Sequence, residues 1–213
     1  MEKQKLIFDV DGTLLWPDYS YEEAYFRSAL SKEDAERFIP MIAKYISDYE
    51  KVYKRYDVKK LSRYLTMRSE ILISEKLVRG WKMALTEINP IIIDGVVEAL
   101  ENLSLKGKKM VILTNWFLEP QIALLKKAGI SDYFNEFYGG EFVLKPNPIS
   151  YRIACGNTPI EECVMIGDSL DNDVYGAMNA GIDAIYYNQK NEDNFDKRKI
   201  KSIGSMKKLK EMF

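Results

Sequence analysis

The stretch LIFDVDGTLL, residues 6–15, decides how the rest of the chain is read. Leu, Ile, Phe and Val in close succession describe a strand covered on both faces, as in a parallel sheet. Two aspartates interrupt the run. Asp9 and Asp11 stand two residues apart, so in an extended chain their side chains point to the same face. Two like charges side by side at a buried position cost free energy unless something offsets them. The end of this strand is therefore the first place to look for chemistry.

Three further apolar runs of strand length end in polar residues: KMVILTN (109–115), CVMIGD (163–168) and DAIYYN (183–188). Helical segments lie between them. DGVVEALENLSLKGKK carries Val97, Leu100 and Leu103 at helical spacing, with Gly107 as a stop. EPQIALLKKAG runs from near Pro120 to Gly129, and DNDVYGAMNAG ends at Gly181. Strand–helix–strand alternation predicts an α/β fold, a doubly wound, Rossmann-like parallel sheet with right-handed crossovers. The basic tail after Asp196 predicts a last short edge strand and a terminal helix.

Between Trp16 and about Asn89 the texture changes, with no strand-like run and a long amphipathic pattern. Ile42, Tyr45, Ile46, Tyr49, Val52, Tyr53 and Tyr56 follow one another as a single helical stripe does. Leu61, Tyr64, Leu65, Arg68, Ile71 and Leu72 form a second. Pro17 and Pro90 bracket the region. The expected organisation is an α/β core formed by residues 1–15 and 90–213, with an all-helical domain of residues 16–89 inserted above the strand ends. The tyrosine stripe reads as packing rather than as a binding surface.

Composition narrows the chemistry. The 213 residues carry 31 Lys and Arg against 32 Asp and Glu, which gives no sign of a nucleic-acid partner. The chain has no histidine, which excludes a serine–histidine triad, a histidine general base and histidine-ligated zinc. Cys155 and Cys163 are too few for a zinc site and too far apart for a Cys-x-x-Cys redox pair, and read as reduced packing residues. The N-terminal segment lacks the features of a signal peptide, and no apolar run approaches the ~20 residues a bilayer requires. A cytoplasmic protein with no membrane partner, monomeric or weakly dimeric, is expected.

All parallel strand ends converge on one edge of the sheet, so the polar residues that terminate them form one set. Asp9 and Asp11 come from the first strand, Thr114 and Asn115 from the second, and Asp168 with Asp171 and Asp173 from the third. Lys145, in VLKPNP, lies between the last two. Clustered carboxylates without histidine or thiolate suit a hard, oxygen-preferring cation, with Mg²⁺ the best fit. A lysine and a threonine hydroxyl beside it suit the oxygens of a phosphoryl group.

DVDGT, LTN, a lysine before proline and GDSLDND occur in the order of the four motifs of the haloacid dehalogenase-like hydrolases, and the chain resembles the capped phosphatases of that superfamily, those similar to phosphoglycolate phosphatases. The resemblance implies that Asp9 is a nucleophile that becomes an aspartyl-phosphate and that Asp11 is the general acid and base. It implies that Mg²⁺ is held by Asp9, Asp168 and the Asp11 backbone carbonyl, with Asp173 rather than Asp171 in support. It also implies that Thr114, Asn115 and Lys145 bind the phosphoryl group, with Asn115 acting through its side chain or its backbone N–H. The expected activity is hydrolysis of a small phosphorylated metabolite. The alternatives are a phosphomutase acting on a sugar phosphate and a non-catalytic regulator that binds phosphorylated metabolites. Arg27, Arg55, Arg63 and Arg68 are the candidates for a second anion on the substrate, although solvated helix arginines are the plainer reading.

Overall fold

The computed structural model describes residues 2–16, 18 and 20–213. Pro17, one of the two prolines expected to bracket the insertion, lies outside the described residues. Six parallel strands form one sheet: β1 (Lys5–Phe8), β4 (Lys109–Leu113), β5 (Glu136–Tyr138), β6 (Cys163–Gly167), β7 (Asp183–Tyr187) and β8 (Lys201–Ile203), in the order β5-β4-β1-β6-β7-β8. The four strands expected from the apolar runs are all present, each stopping one or two residues short of its polar end. β5 carries only three half-buried residues and gives no apolar run. The crossover helices α6 (Val96–Leu105), α7 (Leu118–Lys127), α8 (Pro148–Cys155) and α9 (Gly176–Asn179) connect these strands, and α10 (Leu209–Met212) closes the chain.

β1 is central, paired with β4 on one side and β6 on the other, with Phe8 level with Ile112 and Ile166. All its residues are buried. Three neighbouring strands thus end side by side, and the residues that follow them are forced together: Asp9 after β1, Thr114 and Asn115 after β4, Asp168 after β6. The backbone of Asp9 continues the ladder, its N–H donating to the Ile166 carbonyl at 3.0 Å.

Five helices interrupt the core: α1 (Ser20–Ala29), α2 (Lys32–Phe38), α3 (Ile42–Val52), α4 (Val58–Ser69) and α5 (Glu75–Leu85). Ser31, Asp57 and Ser74 cap three of them by accepting from the N–H groups of Asp34, Lys60 and Leu77. The chain enters and leaves this region through a two-stranded antiparallel ribbon, β2 (Leu15–Trp16) with β3 (Ile91–Ile92). Two residues per strand are too few to leave a periodicity in the sequence, so the ribbon was not expected. Inside the helical region Phe26 packs against Phe38 and Trp81 at centroid distances of 5.0 and 5.3 Å.

The tyrosine stripe is largely packing. Tyr49 is fully buried and stacks on Tyr53 at 4.4 Å and on Tyr56 at 5.3 Å. It is not one helical face, however. α3 ends at Val52, which is 68% exposed, and Tyr53 is extended, so Tyr56 returns to the core by a turn of the chain. There Tyr56 meets Trp116 and Phe117, and its N–H donates to the Gly140 carbonyl at 2.8 Å. Cys155 and Cys163 are buried and unpaired, as expected. Among the described residues no helix is long and apolar enough to cross a membrane.

Candidate active site

The site is assembled from the strand ends upward. Lys145 is 3% exposed and Asp173 1%. The Lys145 ammonium donates to Asp9 Oδ1 at 2.7 Å and to Asp173 Oδ1 at 2.6 Å. Burial alone would lower the Lys145 pKa, but the two carboxylates outweigh it and hold the ammonium above its ordinary value. Charge-assisted bonds of this length are the strong kind, and in a dry site each partner depends on the other. Asp9, Asp168 and Asp173 each offer a carboxylate oxygen within 4.8 Å of the others. Thr13 Oγ1 lies 3.3 Å from Asp9 Oδ2 and 3.4 Å from Asp168 Oδ1, tying the ends of β1 and β6 together.

The close approach of these acids requires glycine at two positions. Gly12 has φ +82°, and a Cβ there would collide with the Asp168 carboxylate; a Cβ on Gly167 would collide with that of Asp173. Asp173 reaches the site because the chain after β6 is a π-helical turn, Leu170–Tyr175. The N–H groups of Asp173 and Val174 both donate to the Ser169 carbonyl, at 2.8 and 3.2 Å, and the widened turn swings the fifth residue after Asp168 inward. The Ser169 N–H donates to Asp173 Oδ2 at 3.0 Å, and the Tyr151 hydroxyl donates to the Asn172 carbonyl. Asp171 is exposed. Of the two aspartates named in this motif, the structure brings Asp173 into the cluster and leaves Asp171 out.

Thr114 is buried, and its hydroxyl oxygen accepts from the Trp116 N–H at 3.1 Å. Asn115 is half-buried. Its side chain grips the backbone of Lys145 at both ends, Nδ2 donating to the Lys145 carbonyl at 3.0 Å and Oδ1 accepting from the Lys145 N–H at 2.7 Å. The amide thereby holds the Lys145 backbone in place.

Asp11 faces away from the acid cluster. Its Oδ2 accepts from Gln121 Nε2, on α7, at 2.6 Å. Burial first, and the charge of Asp9 second, push its carboxyl up to about 7, against the opposing pull of Gln121 and Lys145. Asp11 and Gln121 line a cavity of about 450 Å³ whose far wall is built by α1 and α3. Gln121 was missed by the sequence reading, because a single polar residue in EPQIALLKK reads as helix surface, yet it is 1% exposed. The four arginines stay out of the cavity. Arg27 lies 3.8 Å from Glu23 and Arg68 3.9 Å from Asp48, while Arg55 and Arg63 are exposed.

Residues 6–181 match the family model of the haloacid dehalogenase-like hydrolases. The chain belongs to this family. It is similar to the pyrimidine 5′-nucleotidase PynA of Streptococcus pneumoniae, at 29% identity over 205 residues covering 89% of this chain and 85% of that protein. It is also 27% identical to a phosphoglycolate phosphatase of Colwellia psychrerythraea, over 86% of this chain and 84% of that protein. Among solved structures, the haloacid dehalogenase-like hydrolase YfnB of Bacillus subtilis, determined with bound magnesium, superposes with a TM-score of 0.75 at 21% identity, covering 100% of this chain and 99% of that one. This member of the family is therefore a hydrolase, and its motif residues meet at one sheet edge.

Proposed function

We propose that the protein is a Mg²⁺-dependent phosphomonoesterase acting on a small phosphorylated metabolite through an aspartyl-phosphate on Asp9. The observation that carries this reading is the juxtaposition of Asp9, Lys145, Asp173 and Asp168 at the edge beside which Asp11 opens into the cavity. Relatives matched over 82–85% of their length and named as a nucleotidase, a phosphoglycolate phosphatase and a pyrophosphatase support phosphoryl transfer.

The donor set fits a hard divalent cation: it is all oxygen, and the two glycines clear space for the acids. Asp9, Asp168 and the Asp11 backbone carbonyl would hold it, with Asp173 in support. When bound, the cation supplies positive charge against the mutual repulsion of carboxylates and phosphoryl oxygens. Asp9 attacks phosphorus and the ester oxygen departs with a proton from Asp11. Water then attacks the phosphoryl group, Asp11 takes its proton, and phosphate leaves while Asp9 is regenerated. Lys145, the Thr114 hydroxyl and the Asn115 backbone N–H bind the transferring oxygens. In this reading the helices of residues 16–89 act as a cap that excludes water and selects the leaving group.

Phosphate release from para-nitrophenyl phosphate and from a panel of phosphorylated metabolites tests the reading. Turnover that requires Mg²⁺ and stops with a chelator is expected. No release from any ester would overturn it, and isomerisation of a sugar phosphate without release would replace it with the mutase. Asp11→Asn is expected to lower kcat/KM for alkyl phosphates by about 10²–10⁴-fold and for an activated aryl phosphate far less, since that ratio reports the departure step, in which only a poor leaving group needs the proton. Gln121→Leu should reproduce part of that split. Equal losses on both ester types would refute the proton-donor role.

The raised acids also set how stability responds to pH. Asp11 and Asp168 are pushed up to about 7 and Asp173 to about 6, in each case by burial first. Between about pH 4 and 7 the metal-free folded protein therefore binds protons that the unfolded chain has released, so its stability falls as pH rises through that window. Chelator-treated protein is expected to melt several °C lower near pH 8 than near pH 5.5, and Mg²⁺ to raise the melting temperature more at the higher pH, at roughly 2–4 °C per kcal/mol. Thermal denaturation at the two pH values, with and without Mg²⁺, checks this, and an equal Mg²⁺ effect at both would contradict it.

A further inference from the structure

The cavity beside Asp11 is apolar, and the charges it does carry are of one sign. Phe26, Ile42, Ile46 and Trp116 supply hydrophobic surface, while Glu22 and Glu50 project from α1 and α3 and Glu23 stands at its exposed margin. Among the described residues no lysine or arginine lines it. Glu23 has Arg27 nearby, but Glu22 and Glu50 form no ion pair with any described residue. Glu50 Oε1 accepts from the Tyr56 hydroxyl at 2.7 Å, and burial raises the carboxyls of both Glu22 and Glu50. On the sheet side, Gln121 gives its amide N–H to Asp11, while its Oε1 has almost no accessible surface to offer an occupant.

These observations point to one kind of occupant. An apolar chamber with acceptors on its helical wall and no cation in its lining suits a flat or apolar group that carries hydrogen-bond donors. A second anion there would meet Glu22 and Glu50, and the cavity lining holds no cation to receive it. We propose that the cavity selects phosphomonoesters whose alcohol part is apolar or aromatic and bears an amine or other N–H donor, and rejects alcohol parts bearing a second anion. Glu22 and Glu50 are the specificity-determining acceptors. The proposal rests on the phosphomonoesterase reading above and adds the class of substrate.

Three esters with nearly the same leaving oxygen separate the two ideas: benzyl phosphate, para-aminomethylbenzyl phosphate and para-carboxybenzyl phosphate, with para-nitrophenyl phosphate as a reference. The kcat/KM of the amine ester is expected to exceed that of the carboxylate ester by at least about tenfold, with benzyl phosphate between them. In the double variant Glu22→Gln/Glu50→Gln that ratio should fall to about threefold or less, and being a ratio it is insensitive to the fraction of folded enzyme. A carboxylate ester turned over as well as the amine ester, or an unchanged ratio in the double variant, would overturn the proposal. Turnover of the nitrophenyl ester but none of the benzyl esters would overturn it while sparing the phosphomonoesterase reading. No turnover of any of the four would overturn both.

Discussion

Asp9→Asn is expected to lower kcat on every phosphate ester by at least about 10⁴-fold, because the amide is a poor nucleophile and no neighbouring group can take its place. Asp168 and Asp173 are close, but Asp173 is bound to Lys145 at 2.6 Å and its Oδ2 accepts from the Ser169 N–H. Asp11 is turned away towards Gln121. The substitution is nearly isosteric, and a carboxamide Oδ1 can still accept from Lys145, so the fold should survive. Steady-state assays on purified protein with its melting curve beside them check the result. A variant that keeps more than about a hundredth of wild-type kcat would show that the chain attacks phosphorus with some other group.

Lys145→Met should have the second large effect, on stability as well as on activity. In the native protein one buried ammonium offsets two buried carboxylates at 2.7 and 2.6 Å. Its removal leaves Asp9 and Asp173 facing each other beside Asp168, and breaking a buried pair by deleting one partner costs about 3–5 kcal/mol. For a chain of this length that cost corresponds to a fall in melting temperature of roughly 6–20 °C. Adding Asp173→Asn to the lysine variant removes one of the two stranded charges and should recover a substantial part of the loss, without recovering activity. Mg²⁺ should stabilise the single variant more than the wild type, because a cation is then the remaining compensation for the acids. Denaturation of the three proteins with and without Mg²⁺ decides the point. If the single variant melts with the wild type, Lys145 does not hold the cluster together.

The parts of this site that were legible in the sequence are those that topology dictates. Asp9, Thr114 and Asp168 each follow an apolar run directly, and strands of a parallel sheet that run side by side must end side by side. Lys145 was legible only through its motif, since nothing in its own neighbourhood predicts a buried ammonium. Asp173 was separable from Asp171 by motif spacing, and the π-helical turn supplies the physical reason. Gln121, Glu22 and Glu50 were not legible. Their importance depends on which helix face meets a cavity, and periodicity fixes a face without saying what covers it. The ribbon of β2 with β3 and the edge strand β5 escaped for a simpler reason: two or three residues carry no pattern. Asn115 shows the opposite limit. Its position was legible, but its long-range bonds to the Lys145 backbone were not.

Helices and sheet meet where selection is expected to occur. Tyr56 packs on Trp116 and Phe117, and its hydroxyl orients Glu50 at the cavity wall. The aromatic contacts that hold the insertion against the core therefore also fix Glu50 at the cavity wall. On the proposed reading, chemistry resides on the strand ends and discrimination on the helices above them, so leaving-group preference is expected to change without disturbing Asp9.

The most direct measurement is to catch the covalent intermediate. In Asp11→Asn, an activated aryl phosphate can depart without a proton, while attack by water lacks its base, so the phosphorylated enzyme should accumulate. Acid quenching during turnover with Mg²⁺, followed by peptide mass spectrometry, is predicted to find one added phosphoryl group on the peptide containing Asp9, removable with hydroxylamine and missing from Asp9→Asn. An unmodified Asp9 peptide under continuing turnover, or a phosphoryl group on a different residue, would contradict the account.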